Sequence, residues 1–180
     1  TYWYMLIDPS WAKVKLLPGF DNNNPDQLLA WSGFLSKPNI SPDLFTLLYP
    51  SLKSIIVRDV SLALSPHSTD LCFQLFGLGL IYYQDIVEKD AIDICSRFDQ
   101  KALVQILKVF ESEAERNDNL WSPSISNIFS RYWPKSNEFK TPKISWSISM
   151  LLVTLEDEFQ ESFKCLKQFL APITRSDDVF

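Results

Sequence analysis

The chain has 180 residues, of which 46% are hydrophobic, 22% charged and 14% aromatic, a balance that suits one globular domain with a sizeable core and excludes a disordered chain. Its net charge is -5 and its pI is near 4.9, opposite to the basic excess of a protein built to hold nucleic-acid phosphates. Glycine stands only at Gly19, Gly33, Gly77 and Gly79, so neither GxGxxG nor GxxxxGK[ST] can be written, which argues against a Rossmann or P-loop nucleotide site.

The chain opens at Thr1 and reads as a fragment of a larger protein. Residues 2–7 are six consecutive apolar or aromatic side chains, which a free terminus rarely exposes to water. They are expected to pack on the domain or to complete an element begun upstream, and 2–7 and 13–17 are the two possible short strands. This gives an N-terminal segment over 1–23, a helical domain over 24–173 and a polar tail over 174–180.

Helix starts are signalled by proline. Five prolines follow a capping residue, at Asn24-Pro25, Ser41-Pro42, Ser65-Pro66, Ser122-Pro123 and Thr141-Pro142. In each pair the side-chain oxygen can accept from an orphan N–H of the first turn, and proline at the first helical position loses no bond. Asn24 and Gln27 also have the spacing of a capping box. Pro50 and Pro134 fall where helices are expected to end.

In chain order, the apolar periodicity predicts helices over 26–35, 42–49, 51–59, 71–83, 89–98, 100–117, 123–132, 143–155 and 158–170. The stretch 71–83 is apolar nearly all round and is placed centrally, with Gly77 and Gly79 allowing a neighbour to approach. In 100–117, Leu103, Ile106, Leu107, Phe110 and Ala114 form one face, so this helix is expected to be half exposed. The stripes continue as Ile144, Ile148, Leu151, Leu152 and Leu155, then Phe159, Phe163, Leu166 and Leu170. The fold class is therefore all-α: an irregular array of about nine short to medium helices in solenoid-like pairs, without a fixed-period repeat.

Cys72, Cys95 and Cys165 are odd in number and widely spaced. This disfavours a disulfide framework or CxxC metal site and fits a reduced, cytoplasmic setting. The longest charge-free run, 71–84, has 14 residues and is too short to cross a bilayer. His67, with Ser68 and Asp70 nearby, has the residue types of a catalytic base, nucleophile and orienting acid, but the same residues suit the first turn of a helix. Carboxylates gather at Glu111, Glu113 and Glu115, at Asp85, Glu88, Asp90 and Asp93, and at Glu156, Asp157, Glu158 and Glu161, where helix ends and solvated faces account for them. No catalytic residue, metal ligand or cofactor is assigned.

The best surface candidate is RYWPKSNEFKTPK over 131–143. Arg131, Lys135, Lys140 and Lys143 stand against Glu138 alone, with Trp133 interleaved, a pattern able to meet an acidic protein or a nucleic acid. The competing reading is a helix-to-helix loop anchored by its aromatic rings. Six tryptophans, at Trp3, Trp11, Trp31, Trp121, Trp133 and Trp146, add to the case for a protein interface.

Three stretches, AWSGFLSKPNISPDLFTLL at 30–48, YWPKSNEFKTPKISWSISMLL at 132–152 and EDEFQESFKCLKQFLAPI at 156–173, resemble in order and spacing the helical C-terminal region of large bacterial anti-phage defence proteins of the defence-associated sirtuin type. The resemblance implies a parent protein whose separate N-terminal domain cleaves NAD; it carries over no active site to this chain. The expected function is a non-enzymatic regulatory or recognition module that binds a phage protein or an upstream domain of its own chain, with oligomerisation through the parent. The alternatives are nucleic-acid contact through 131–143 and a small stand-alone hydrolase.

Overall fold

In the computed structural model, residues 8–21, 23–36, 40–57, 64–117 and 120–172 are described. Three of the five proline pairs start helices as their chemistry dictates. Ser41 Oγ accepts from the Leu44 N–H at the head of helix Pro42–Val57, Ser65 Oγ from Ser68 at the head of Pro66–Tyr82, and Thr141 Oγ1 from Ile144 at the head of Pro142–Thr154. Numbered in chain order, the helices are α1 Pro9–Lys15, α2 Gln27–Leu35, α3 Pro42–Val57, α4 Pro66–Tyr82, α5 Gln84–Ser96, α6 Gln100–Ala114, α7 Ser126–Arg131, α8 Pro142–Thr154 and α9 Phe159–Leu166. The all-α class holds, and no strand occurs among the described residues.

The remaining pairs act differently. At Asn24-Pro25 the asparagine closes a turn: its Oδ1 accepts from the Asp26 N–H at 2.8 Å and its amide donates to the Pro18 carbonyl at 2.9 Å, so α2 begins only at Gln27. Gln27 turns inward, without forming a capping box, and donates to the Phe20 carbonyl and to Ser51 Oγ. Ser122-Pro123 lies inside a π-helical turn, Trp121–Ile125, in which the Ile125 N–H reaches the Leu120 carbonyl; α7 follows.

Two expectations about helix limits are corrected. The strand at 13–17 is absent, because Asp8-Pro9 is a further start signal: Asp8 Oδ1 accepts from the Trp11 N–H at 2.9 Å and α1 runs to Lys15. The helices at 42–49 and 51–59 are one helix, α3, continuing through Pro50. Proline removes the N–H that would have bonded to the Thr46 carbonyl. Thr46 and Pro50 are both exposed residues, while Leu48, Tyr49, Ser51 and Leu52 are held in the core. The other possible strand, 2–7, and the proposed tail, 174–180, lie outside the described residues.

Helix α4 is the centre of the array. It packs on α6, which packs on α8, so α6 is enclosed on two sides. Ala102 through Leu107 are all buried, including Gln105, which corrects the half-exposed expectation. Gln105 is satisfied by accepting from Gln74 and donating to Asp70. Elsewhere, α3 and α5 pack together and α2 lies on α4. Phe20 closes the other end in an edge-to-face trio with Trp31 and Phe34, and the turn Leu17–Phe20 contacts α2 and α3. Among the described residues no helix is long and apolar enough to cross a membrane.

Candidate functional site

Helix α8 has one inward face, made by Ile144, Ile148, Leu151 and Leu152, all buried. At 100° per residue, Trp146, Met150 and Val153 fall on the opposite side. Trp146 is 70% exposed and Val153 64%, with Met150 half-buried between them. A tryptophan aligned with a second apolar residue two turns away, both mostly exposed, is not part of the buried core among the described residues. The sequence carried a signal for this face: Trp146 lies two positions after Ile144 and two before Ile148, off the apolar stripe of its own helix.

The loop leading into α8 divides the proposed site residues. Trp133 is corrected from a surface ring to an interior one: it is 3% exposed, 4.6 Å from the Phe129 ring and 6.4 Å from that of Phe110. It anchors the loop and cannot stack on a ligand. Arg131 is engaged by Glu88 of α5 and lies 5.3 Å over the Tyr132 ring. Lys135 and Lys143 are exposed and Lys140 is half-buried. Among the described residues the ion pairs employ Lys53, Arg97, Lys101, Arg116 and Arg131, so these three lysines have no carboxylate partner there. Lys143 sits one turn before Trp146 and shares its side of α8.

No family model, curated protein or solved structure matches the chain. The site therefore rests on its own geometry.

Beyond α8, the acidic turn Glu156–Glu158 leads into α9. Glu158 is committed, accepting from the Trp121 N–H at 3.1 Å, whereas Glu156 and Asp157 are exposed and enter no ion pair among the described residues. Phe159 and Phe163 stack on each other with ring centroids 5.8 Å apart, and both are more than one-third exposed. A shallow cleft of about 280 Å³ lies between this turn and the end of α6.

The catalytic candidates do not assemble into one hydrogen-bonded chain. His67 is exposed on the first turn of α4. Ser68 is buried and receives a hydrogen bond from Ser65 Oγ at 2.9 Å. Asp70 is turned to α6, where Gln105 donates to it at 3.1 Å and Lys101 Nζ lies 2.7 Å away in an ion pair. Other carboxylates are also matched: Asp90 meets Lys53 at 2.5 Å and the Tyr49 hydroxyl at 3.3 Å, Asp93 meets Arg97 at 3.0 Å, and Glu113 meets Arg116 at 2.9 Å. Tyr82 donates to Glu113 at 2.5 Å; burial first, then this bond, pushes its pKa up to about 12. Burial pushes the Cys72 and Cys95 thiols up to about 12 and raises that of Cys165. Among the described residues no group of three His, Cys, Asp or Glu side chains has metal-binding geometry.

Proposed function

We propose that this helical domain is a non-enzymatic recognition or regulatory module of a larger bacterial anti-phage defence protein, binding protein through the outward face of α8. The observation that carries the reading is Trp146, 70% exposed on a well-formed helix, in line with Val153 and preceded by Lys143. A large aromatic ring flanked by apolar contacts and rimmed by charge has the composition of an interface anchor. The three stretches resembling defence-protein C-terminal regions give the reading its biological setting, and two of them, 132–152 and 156–173, span this helix and the acidic turn beyond it. Binding would regulate the parent protein only if the partner favours one of its states over another.

The test is made in the full-length parent protein in cells challenged with phage. Trp146→Ser with Val153→Ser removes the apolar anchor at exposed positions, so the domain keeps its core, which circular dichroism and a melting curve of the purified protein verify. Protection should be lost. Full protection by a correctly folded double variant would sink the proposal.

A further inference from the structure

Four lysines that enter no ion pair gather toward one end of the hairpin formed by α8 and α9. Lys140 precedes α8 and Lys143 lies in its first turn, while Lys164 lies in the last turn of α9 and Lys167 opens the turn that follows, Lys167–Phe169. The Ala171 N–H donates to Ser145 Oγ at 2.7 Å, which pins the end of that turn beside the start of α8. Lys143, Lys164 and Lys167 are exposed and Lys140 is half-buried, and none of the four meets a carboxylate among the described residues. The carboxylates nearest to them in sequence, Glu138 and Glu161, are exposed and enter no ion pair there either. At 100° per residue, Lys143 and Ser145 fall on opposite sides of Trp146. The exposed indole therefore stands between the cations of α8 and the end of α9.

Cations held together without counter-charges repel one another and attract a polyanion. The distribution of charge along the hairpin decides which kind. The turn Glu156–Glu158 lies at the far end of α8, about 20 Å from the lysines, and Glu156 and Asp157 are exposed there. A nucleic-acid strand is charged along its whole length and would run from the lysines towards these carboxylates on a chain of net charge -5. A polypeptide can confine its charge to one stretch. Resting on the reading of α8 as a protein-binding face, we infer that the partner is a protein segment whose run of carboxylates ends in apolar side chains. The carboxylates lie over Lys140, Lys143, Lys164 and Lys167, and the first apolar side chain packs on the Trp146 ring. Lysine is a flexible point charge, so the patch accepts carboxylates without a fixed fork geometry. Exposed charges of this kind govern the rate of encounter and its salt dependence, while the aromatic ring holds the complex.

The experiment is fluorescence anisotropy at low salt with the 180-residue chain and three probes: a fluorescein-labelled peptide of consecutive glutamates followed by leucine and phenylalanine, the same peptide with glutamine for every glutamate, and an oligothymidylate of similar length. The glutamate peptide should bind saturably and more tightly than the other two, and its binding should weaken as salt is added. Lys143→Glu with Lys167→Glu should weaken it by about tenfold or more, and Lys143→Gln with Lys167→Gln should weaken it less. Lys13→Glu with Lys15→Glu makes the same change in net charge on α1, which packs on the turn Leu17–Phe20, and should leave binding unchanged. Trp146→Ser should speed dissociation. Melting curves verify that every variant is folded. No saturable binding of the glutamate peptide, equal weakening by the α1 pair, or tighter binding of the oligothymidylate through the same lysines overturns the inference. If the peptide does not bind but the Trp146 and Val153 variant still loses phage protection, α8 remains a face for a protein that is not acidic, so the two ideas fail separately.

Discussion

Gly77 and Gly79 lie two residues apart in α4, yet alanine should have opposite effects at the two positions. A Cβ built on Gly79 would come within 2.5 Å of Phe45 Cζ and 3.2 Å of Cε2. Phe45 cannot swing clear without breaking its stacking on Tyr49 and Tyr83, with centroids 5.7 and 4.6 Å away, and it is 1% exposed. Overpacking of this kind costs about 1–3 kcal/mol, and a contact at 2.5 Å belongs at the upper end of that range. Alanine returns about 1 kcal/mol of helix propensity. The net loss is about 2 kcal/mol, or about 4–8 °C in melting temperature for a chain of this size. At Gly77 the nearest atom would be Val109 Cβ at 3.4 Å, an ordinary contact, so Gly77→Ala should gain up to about 1 kcal/mol and about 2–4 °C. Thermal unfolding followed by circular dichroism measures both. Phe45→Leu should relieve part of the Gly79→Ala loss in a double-mutant cycle. A Gly79→Ala protein as stable as the unaltered chain would refute the close approach of α3 to α4.

Other consequences follow from the buried polar groups and from Pro50. Ser51→Ala deprives the Trp31 indole N–H of its acceptor, now 3.0 Å away, and should cost about 1–3 kcal/mol in denaturant unfolding. Pro50→Ala restores the helical N–H that bonds the Thr46 carbonyl and should stabilise by about 1–3 kcal/mol; a loss would show that the proline ring packs favourably. The Cys72 and Cys95 thiols titrate near 12 in the folded chain against 9.0 when free. A group whose pKa is raised by folding contributes its stability fully below the unfolded pKa and loses it as pH rises. Stability should therefore decline between pH 9.0 and about 12, more steeply than in a Cys72→Ala, Cys95→Ala protein. Thiol labelling of the native chain should reach Cys165 first, because it is half-buried while the other two are buried.

What the sequence by itself determined is what a residue settles with neighbours three or four positions away. Ser41, Ser65 and Thr141 cap their helices because the hydroxyl and the orphan N–H belong to the same turn. The stripe Ile144, Ile148, Leu151 and Leu152 points inward because helical geometry aligns those positions. The tertiary structure decided whatever depends on a distant partner. Gln27 had two uses for its amide, and the approach of Ser51 and the Phe20 carbonyl selected the buried one. Helix α3 continues through Pro50 because its flanking side chains are held in the core, at a position where local preference favoured a break. Packing on two sides enclosed α6. The basic loop illustrates the same division: four cations and a tryptophan stand together in the sequence, but α7 drew Trp133 inward against Phe129 and α5 engaged Arg131 through Glu88. Composition specifies which groups are available to a surface, and only long-range packing, which removes some of them from water or from partnership, decides which of them remain on it.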